Sequence, residues 1–205
     1  MKLLNFAVWA HSLLDRLRAA DWLAPLAMRL YLVPIFWQAG INKFENFSDI
    51  VDWFGSMDMG LGLPLPYVMA TLATGAELVG AASLLLGLGL RWMCIPMMVT
   101  MIVAILTVHL PNGWLAVSEG MGPFATERTM HAIERLNEIK DLVREHGDYD
   151  RLTEYGPIVI LNNGVEFAAT YFIMLLSLFF TGAGRFVSVD YWLRRRFMPQ
   201  AVRAN

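Results

Sequence analysis

Apolar positions along the chain form long uninterrupted runs. Four of them cover residues of about 22–41, 67–88, 92–110 and 158–181. Since about 20 residues at a rise of 1.5 Å cross the hydrocarbon core of a bilayer, each run predicts a membrane-spanning helix. The pattern therefore predicts an all-α membrane protein, a four-helix transmembrane bundle formed as a single domain over residues 1–205.

Two further segments have the periodicity of a helix with one apolar face. At about 125–146, in the long outer loop between the third and fourth spans, apolar residues recur at steps of three and four: Met130, Ile133, Leu136, Ile139, Leu142 and Val143. We expect this helix to cover the outer mouth of the bundle; a mobile helix without a docking site is the alternative. Near the N-terminus, Leu13, Leu14 and Leu17 alternate with charged residues. This predicts a short interfacial helix or, alternatively, a polar tail.

Composition and charge agree with a membrane protein and indicate its orientation. Hydrophobic residues make up 57% of the chain and charged residues 17%, with a mean hydropathy of +0.47. With both termini inside, the inner segments hold nine Lys and Arg against three acids, and the outer loops hold six against thirteen. Because cytoplasmic loops carry an excess of positive residues, we expect a bacterial cytoplasmic (inner) membrane protein with both termini cytoplasmic.

Several classes of function are disfavoured by the residues. The lone cysteine, Cys94, cannot form an internal disulfide. Nucleotide-binding, zinc-protease and nucleophile-elbow motifs are not found in the sequence. Its basic residues are few and scattered, so a nucleic acid is not an expected partner.

Polar side chains inside the predicted spans are the candidate functional residues. Glu77 lies at the midpoint of the second run, where a charge costs about 2.5–3.5 kcal/mol, so it should face the bundle. We expect one polar cluster, open to the outside, with Glu77 as its floor and Arg29 or Lys43 as the matching cation. The other candidates are His109, Asn162 and Glu166. The alternatives are a pair that only locks helices, a protonated Glu166 bonded to Asn162, and a His109 that caps its helix or meets water.

The third span carries a stripe of methionines that suggests a second kind of site. Met93, Met97 and Met101 share one helix face. Soft sulfur ligands suit Cu(I), but methionine is also a common core residue, and packing is the favoured interpretation. His109 and Met101 are the weak metal-ligand candidates. Cys94 and His109 lie about 22 Å apart along a helix, too far to share one ion.

The order and spacing of several motifs resemble the DoxX family. They are RLYLVPIFWQAGINKF at the first span, the run from Glu77 to Arg91, His109, and GAGRFVSVD after the fourth span. The outer-loop segments with NGW and REHGDYDRLTEYG, and LNNGVEFAATYF, are similar to the HvfX-type branch found beside copper-binding, ribosomally made (RiPP, bufferin-like) peptides. The resemblance implies a four-helix membrane bundle and makes Arg29, Lys43, Glu77, Arg91 and His109 site candidates.

The same resemblance implies roles in thiosulfate:quinone oxidation, redox-stress complexes or copper-peptide maturation. The leading expectation is an accessory protein of copper-peptide maturation or of metal and redox homeostasis. Its outward cluster would bind a small ligand, a quinone headgroup or a metal-bearing peptide. The alternatives are a membrane subunit of a quinone-coupled oxidoreductase and a structural anchor for soluble proteins. The cofactor stays open, with quinone and copper as the candidates. The expected partners are the lipid bilayer and a membrane or periplasmic protein or peptide, and a homo-oligomer stays open.

Overall fold

The computed structural model describes residues 9, 15 and 18–198, and nearly all regular structure within them is helical. The α-helices are α1 (Leu23–Glu45), α2 (Phe47–Gly55), α3 (Pro66–Leu86), α4 (Leu90–Ala104), α5 (Glu127–His146), α6 (Tyr149–Leu152), α7 (Glu166–Thr181) and α8 (Val189–Phe197). A π-helical segment, Ile105–His109, and a 3₁₀ turn, Leu110–Asn112, continue α4. Contacts divide the chain into two compact units, residues 1–100 with 173–205, and residues 101–172.

Three helical stretches are long and apolar enough to cross a membrane, and they confirm the first three predicted spans. They are Arg18–Glu45, Pro66–Leu86 and Leu90–Asn112, with 28, 21 and 23 residues. Their outer faces expose large apolar side chains, such as Leu72, Val79 and Leu106, at 57–63% of full exposure. Such surfaces are compatible with lipid rather than water. The protein is therefore a membrane protein.

The fourth predicted span is shorter than its apolar run. Residues 158–165 are not helical, and α7 has only 16 residues. Asn163 has φ +59° and is followed by Gly164, so the backbone there cannot continue a right-handed helix. The predicted N-terminal interfacial helix, with Leu13, Leu14 and Leu17, lies outside the described residues.

The core of the first unit is built on the close antiparallel packing of α1 against α3. The buried residues of α1 recur every three or four positions along one face: Pro25, Arg29, Leu32, Phe36 and Gly40. The buried face of α3 consists largely of small residues, which let the two backbones approach closely. A Cβ atom at Gly40 would lie 2.7 Å from Cδ2 of Leu78. A larger side chain at Gly40, or on the small face of α3, would therefore push the two helices apart.

The first outer segment contains an element that the sequence did not predict. Helix α2 follows α1 after a single residue and packs on α3, with Phe54 buried. The ring of Phe47 meets the ring of Tyr67 edge-on, with centroids 5.4 Å apart. Aromatic side chains therefore fix this segment against the start of α3.

The second unit is held together by an extended pairing and by a capped helix. Residues 113–118 bond to residues 160–166, with Ser118 donating to Ile160 at 3.0 Å and Glu166 N–H donating to Trp114 at 2.9 Å. Helix α5 starts with a capping box between Thr126 and Thr129. Its predicted apolar face is covered only in part, because Leu136 is buried while Met130, Ile139 and Leu142 are exposed. That this face covers the bundle mouth stays a prediction.

The packing of α3 on α4 gives a direct test of the bundle. A Cβ atom at Gly80 would lie 2.5 Å from Sδ of Met97, whereas nothing lies within 4 Å of a Cβ atom at Gly75. We expect Gly80→Leu to lower stability by about 1–3 kcal/mol through overpacking, measured as the thermal midpoint in detergent. Gly75→Leu, on the same helix, is the matched control and should unfold at the wild-type temperature or above it. Equal midpoints for the two variants would contradict this packing.

Candidate functional site

A buried ion pair joins the last turn of α1 to the middle of α3. Nζ of Lys43 lies 2.8 Å from both carboxylate oxygens of Glu77. The Glu77 side chain is 5% exposed and the Lys43 side chain 20% exposed. The carboxylate is therefore neutralised within the protein, and the Lys43 side chain is the less buried member of the pair.

The small residues around the pair explain why it can form. Gly40 lies one turn before Lys43, and a Cβ atom there would be 3.2 Å from Cβ of Glu77. The absence of a side chain at Gly40 thus lets α1 pass close beside the carboxylate. Thr74, one turn before Glu77, is also buried, but its hydroxyl donates to the carbonyl of Ala70 in its own helix. No second acceptor for Lys43 is found in the described part of the chain, so one of its three N–H donors is available.

Arg29 does not take part in this pair, which corrects one of the two expected partnerships. Its guanidinium donates to the carbonyls of Leu84 at 2.6 Å and Leu85 at 2.9 Å, and to those of Ala183 and Val187 at 2.8 and 3.2 Å. Leu84 and Leu85 belong to the last turn of α3, where carbonyls have no partner within the helix. The negative end of the helix dipole also favours a cation there. Arg29 therefore stabilises the end of the helix instead of Glu77.

The same end of the bundle contains an acid that sequence reasoning did not single out. The carboxylate of Asp190 accepts from the backbone N–H groups of Gly89 at 2.9 Å and Leu90 at 3.3 Å, where α4 begins. Between the two helices, Gly87 has φ +64°, and a Cβ atom there would lie 2.8 Å from Nη2 of Arg29. Arg29 and Asp190 thus bind opposite sides of one turn. The signal was present in GAGRFVSVD, whose Ser188 also caps α8.

The remaining candidates, His109, Asn162 and Glu166, belong to the second unit. The expected bond between Glu166 and Asn162 is not formed, because Asn162 lies before α7 in the extended segment. Its amide group donates to the carbonyls of Asn112 and Leu115 at 2.8 and 2.6 Å, and its Oδ1 accepts from Nε of Arg128 at 3.1 Å. Glu166 accepts from the N–H of Ala116 at 3.0 Å instead. Both side chains therefore hold the extended pairing together.

His109 is tied to the same segment by one of its two ring nitrogens. Nδ1 lies 2.9 Å from the carbonyl of Asn163, which can only accept, so Nδ1 carries the proton. This leaves Nε2 as the atom with a lone pair for a ligand. Among the three candidates of this unit, His109 through Nε2 and Glu166 through Oε1 each keep an atom that makes no hydrogen bond to the described residues.

The residues offer little for a metal ion. Within residues 9, 15 and 18–198 no group of three or more His, Cys, Asp or Glu side chains could hold one. In the methionine stripe, Met97 is fully buried and lies against Gly80, as the packing interpretation predicts. Cys94 is also fully buried. The donor set therefore gives no support to a copper site.

Removing the Arg29 guanidinium should destabilise the protein strongly. In Arg29→Met, carbonyls at the end of α3 lose their donors, and each unsatisfied buried polar group costs about 1–3 kcal/mol. We expect a large fall in the thermal midpoint in detergent and in membrane abundance. Arg185→Met is the control, because Arg185 makes an exposed pair with Asp21 at 2.7 Å, and such pairs contribute about 0–1 kcal/mol. A variant at Arg29 as stable as that control would refute its role.

Comparison with known proteins gives one finding. No curated protein and no solved structure matches the chain significantly. Residues 24–110, which run from α1 through the π-helical segment, match the family model described as DoxX. The matched stretch covers less than half of the chain and contains Arg29, Lys43, Glu77, Arg91 and His109, so the part of the protein that holds the buried ion pair is similar to the DoxX family.

Proposed function

We propose that the protein is a membrane component of redox metabolism whose Lys43–Glu77 pair binds the headgroup of a quinone. The observation that supports this is a charged pair that is buried between two spanning helices and whose lysine side chain keeps 20% of its surface exposed. A buried pair of charges is not needed for stability, since apolar residues often serve as well. A charge kept inside the membrane is therefore a candidate for function.

The chemistry of the pair fits a quinone. Such a headgroup has carbonyl oxygens on an apolar ring and reaches the protein from within the bilayer. The third N–H of Lys43 can donate to one carbonyl oxygen, and the positive charge favours the anion that forms there on reduction. Glu77 can supply or accept a proton beside it. The electrons would come from a partner protein, which makes this chain a subunit or an accessory protein rather than a complete enzyme.

Of the roles that the DoxX match suggests, the geometry favours the quinone-linked one. No contact of the described residues supports copper-peptide maturation, because the sulfur residues Met97 and Cys94 are both fully buried and Met97 packs against Gly80. The third role, an anchor for soluble proteins, uses Lys43–Glu77 only as a lock between α1 and α3. The quinone role predicts that a stable double variant without the two charges no longer binds quinone. A pair that only locks the two helices predicts that such a variant behaves like the wild type.

Replacement of Lys43 and Glu77 separates an effect on quinone binding from an effect on protein stability. Glu77→Gln or Lys43→Met alone should weaken binding of a short-chain ubiquinone or menaquinone to protein in lipid nanodiscs by roughly tenfold or more, as loss of a charge-assisted hydrogen bond requires. The double variant should regain membrane abundance and thermal stability but not quinone binding. Thr74→Val, a buried change one turn away, is the control and should bind normally.

The result that would overturn the proposal is a stable double variant that binds quinone like the wild type. The pair would then be a lock between helices. Absence of quinone binding in the wild-type protein itself, with intact folding, would favour the anchor role.

We further propose that α7 is a fourth crossing and that both termini are cytoplasmic. Helix α7 is about 24 Å long, somewhat less than a hydrocarbon core of about 30 Å, so it requires local thinning of the bilayer or help from the preceding segment. The Lys and Arg distribution supports the orientation.

A topology measurement tests this arrangement. A reporter fused after Asn205 should report a cytoplasmic location, because four crossings return the chain to its starting side. A reporter inserted near Asp141, after three crossings, should report the outside. A cytoplasmic signal near Asp141 would contradict the orientation and the outward opening of the site.

A further inference from the structure

A groove of about 680 Å³ lies at the end of the bundle where α3 turns into α4, between α4, α7 and α8. Two cations, Arg91 and Arg194, line it together with large apolar side chains, among them Trp92, Ile95 and Phe197. Trp92 is 79% exposed. Because spanning helices begin and end here, the groove lies at the level of the lipid headgroups, where exposed tryptophan is common.

The positive charge of the groove is not balanced by the protein. Nε of Arg91 donates to the carbonyl of Phe179 at 2.7 Å, which fixes the guanidinium beside the ring of Phe179. Neither Arg91 nor Arg194 has a carboxylate partner within the described residues. The acid in the lining, Asp190, accepts from the N–H groups at the start of α4, so the lining holds two cations and one carboxylate. The groove therefore has donors for an anion.

The shape and polarity of the groove select among anions. An inorganic phosphate would contact the two arginines and leave the apolar wall unused. A phospholipid has a phosphate joined to acyl chains, so it can contact the arginines and the apolar side chains together. Arginine is well suited to phosphate because its planar group can donate two parallel hydrogen bonds.

We propose that this groove is a binding site for an anionic phospholipid. Arg91 and Arg194 bind the phosphate, and the acyl chain lies along Ile95, Leu193 and Phe197. A bound lipid fastens α8 to the start of α4 and to the end of α7. The site is independent of the Lys43–Glu77 pair and would exist whatever that pair binds.

The test compares two double variants with the same loss of charge. Delipidated protein in detergent is titrated with phosphatidylglycerol, phosphatidylcholine or inorganic phosphate, and bound lipid is counted by native mass spectrometry. The wild type should bind one phosphatidylglycerol in clear preference to phosphatidylcholine. In the Arg91→Gln, Arg194→Gln variant this affinity should fall roughly tenfold or more. The Arg195→Gln, Arg196→Gln variant, whose changes lie outside the groove lining, should stay within about threefold of the wild type.

A second variant controls for folding. Arg91→Lys with Arg194→Lys keeps the charge, so it should bind phosphatidylglycerol better than the glutamine pair does, at a similar thermal midpoint. The proposal is overturned if both glutamine pairs lose affinity equally, since general attraction to the basic helix would then explain the binding. Equal affinity for phosphatidylcholine would overturn it too. Full displacement of phosphatidylglycerol by millimolar inorganic phosphate would identify a free-phosphate site instead.

Discussion

The turn between α3 and α4 lacks enough hydrogen-bond partners of its own, and the first unit is arranged around supplying them. A helix that ends leaves carbonyls unpaired, and a helix that begins leaves N–H groups unpaired. Near a bilayer each such group is costly. Arg29 donates to the carbonyls of Leu84 and Leu85, and Asp190 accepts from the N–H groups of Gly89 and Leu90. Two distant segments of the chain are thereby fixed to one hairpin.

This use of Arg29 determines what happens at the other end of α1. Arg29 and Lys43 are separated by fourteen residues, about 21 Å along the helix. Since Arg29 is engaged at the end of α3, Lys43 is the cation that meets Glu77, at 2.8 Å. The two cationic residues of α1 thus have different roles, a structural one for Arg29 and a candidate functional one for Lys43. An arginine suits the first role, because its several donors can bind several carbonyls at once.

The arginines near the turn between α3 and α4 and around α8 differ in what they contact. That difference indicates their roles. Arg29 has only backbone carbonyls as acceptors, and Arg185 has the carboxylate of Asp21. Arg195 lies over the ring of Trp192. Arg91 and Arg194 instead line an apolar groove and make no ion pair with a carboxylate of the described residues. The excess of Lys and Arg that a sequence count treats as uniform is therefore made of residues with different contacts.

The sequence by itself determined the membrane class, the first three spans and the need of Glu77 for a partner, because apolar run length and a buried charge are local properties. Only the tertiary structure decided that Lys43 is that partner, since the carbonyls that attract Arg29 become free only where α3 ends. In the tertiary structure the fourth helix is also shorter than its apolar run, and Asn162 lies outside it. The cause is the backbone conformation of Asn163 and the pairing with residues about fifty positions earlier, and neither can be read from an apolar run or a periodicity.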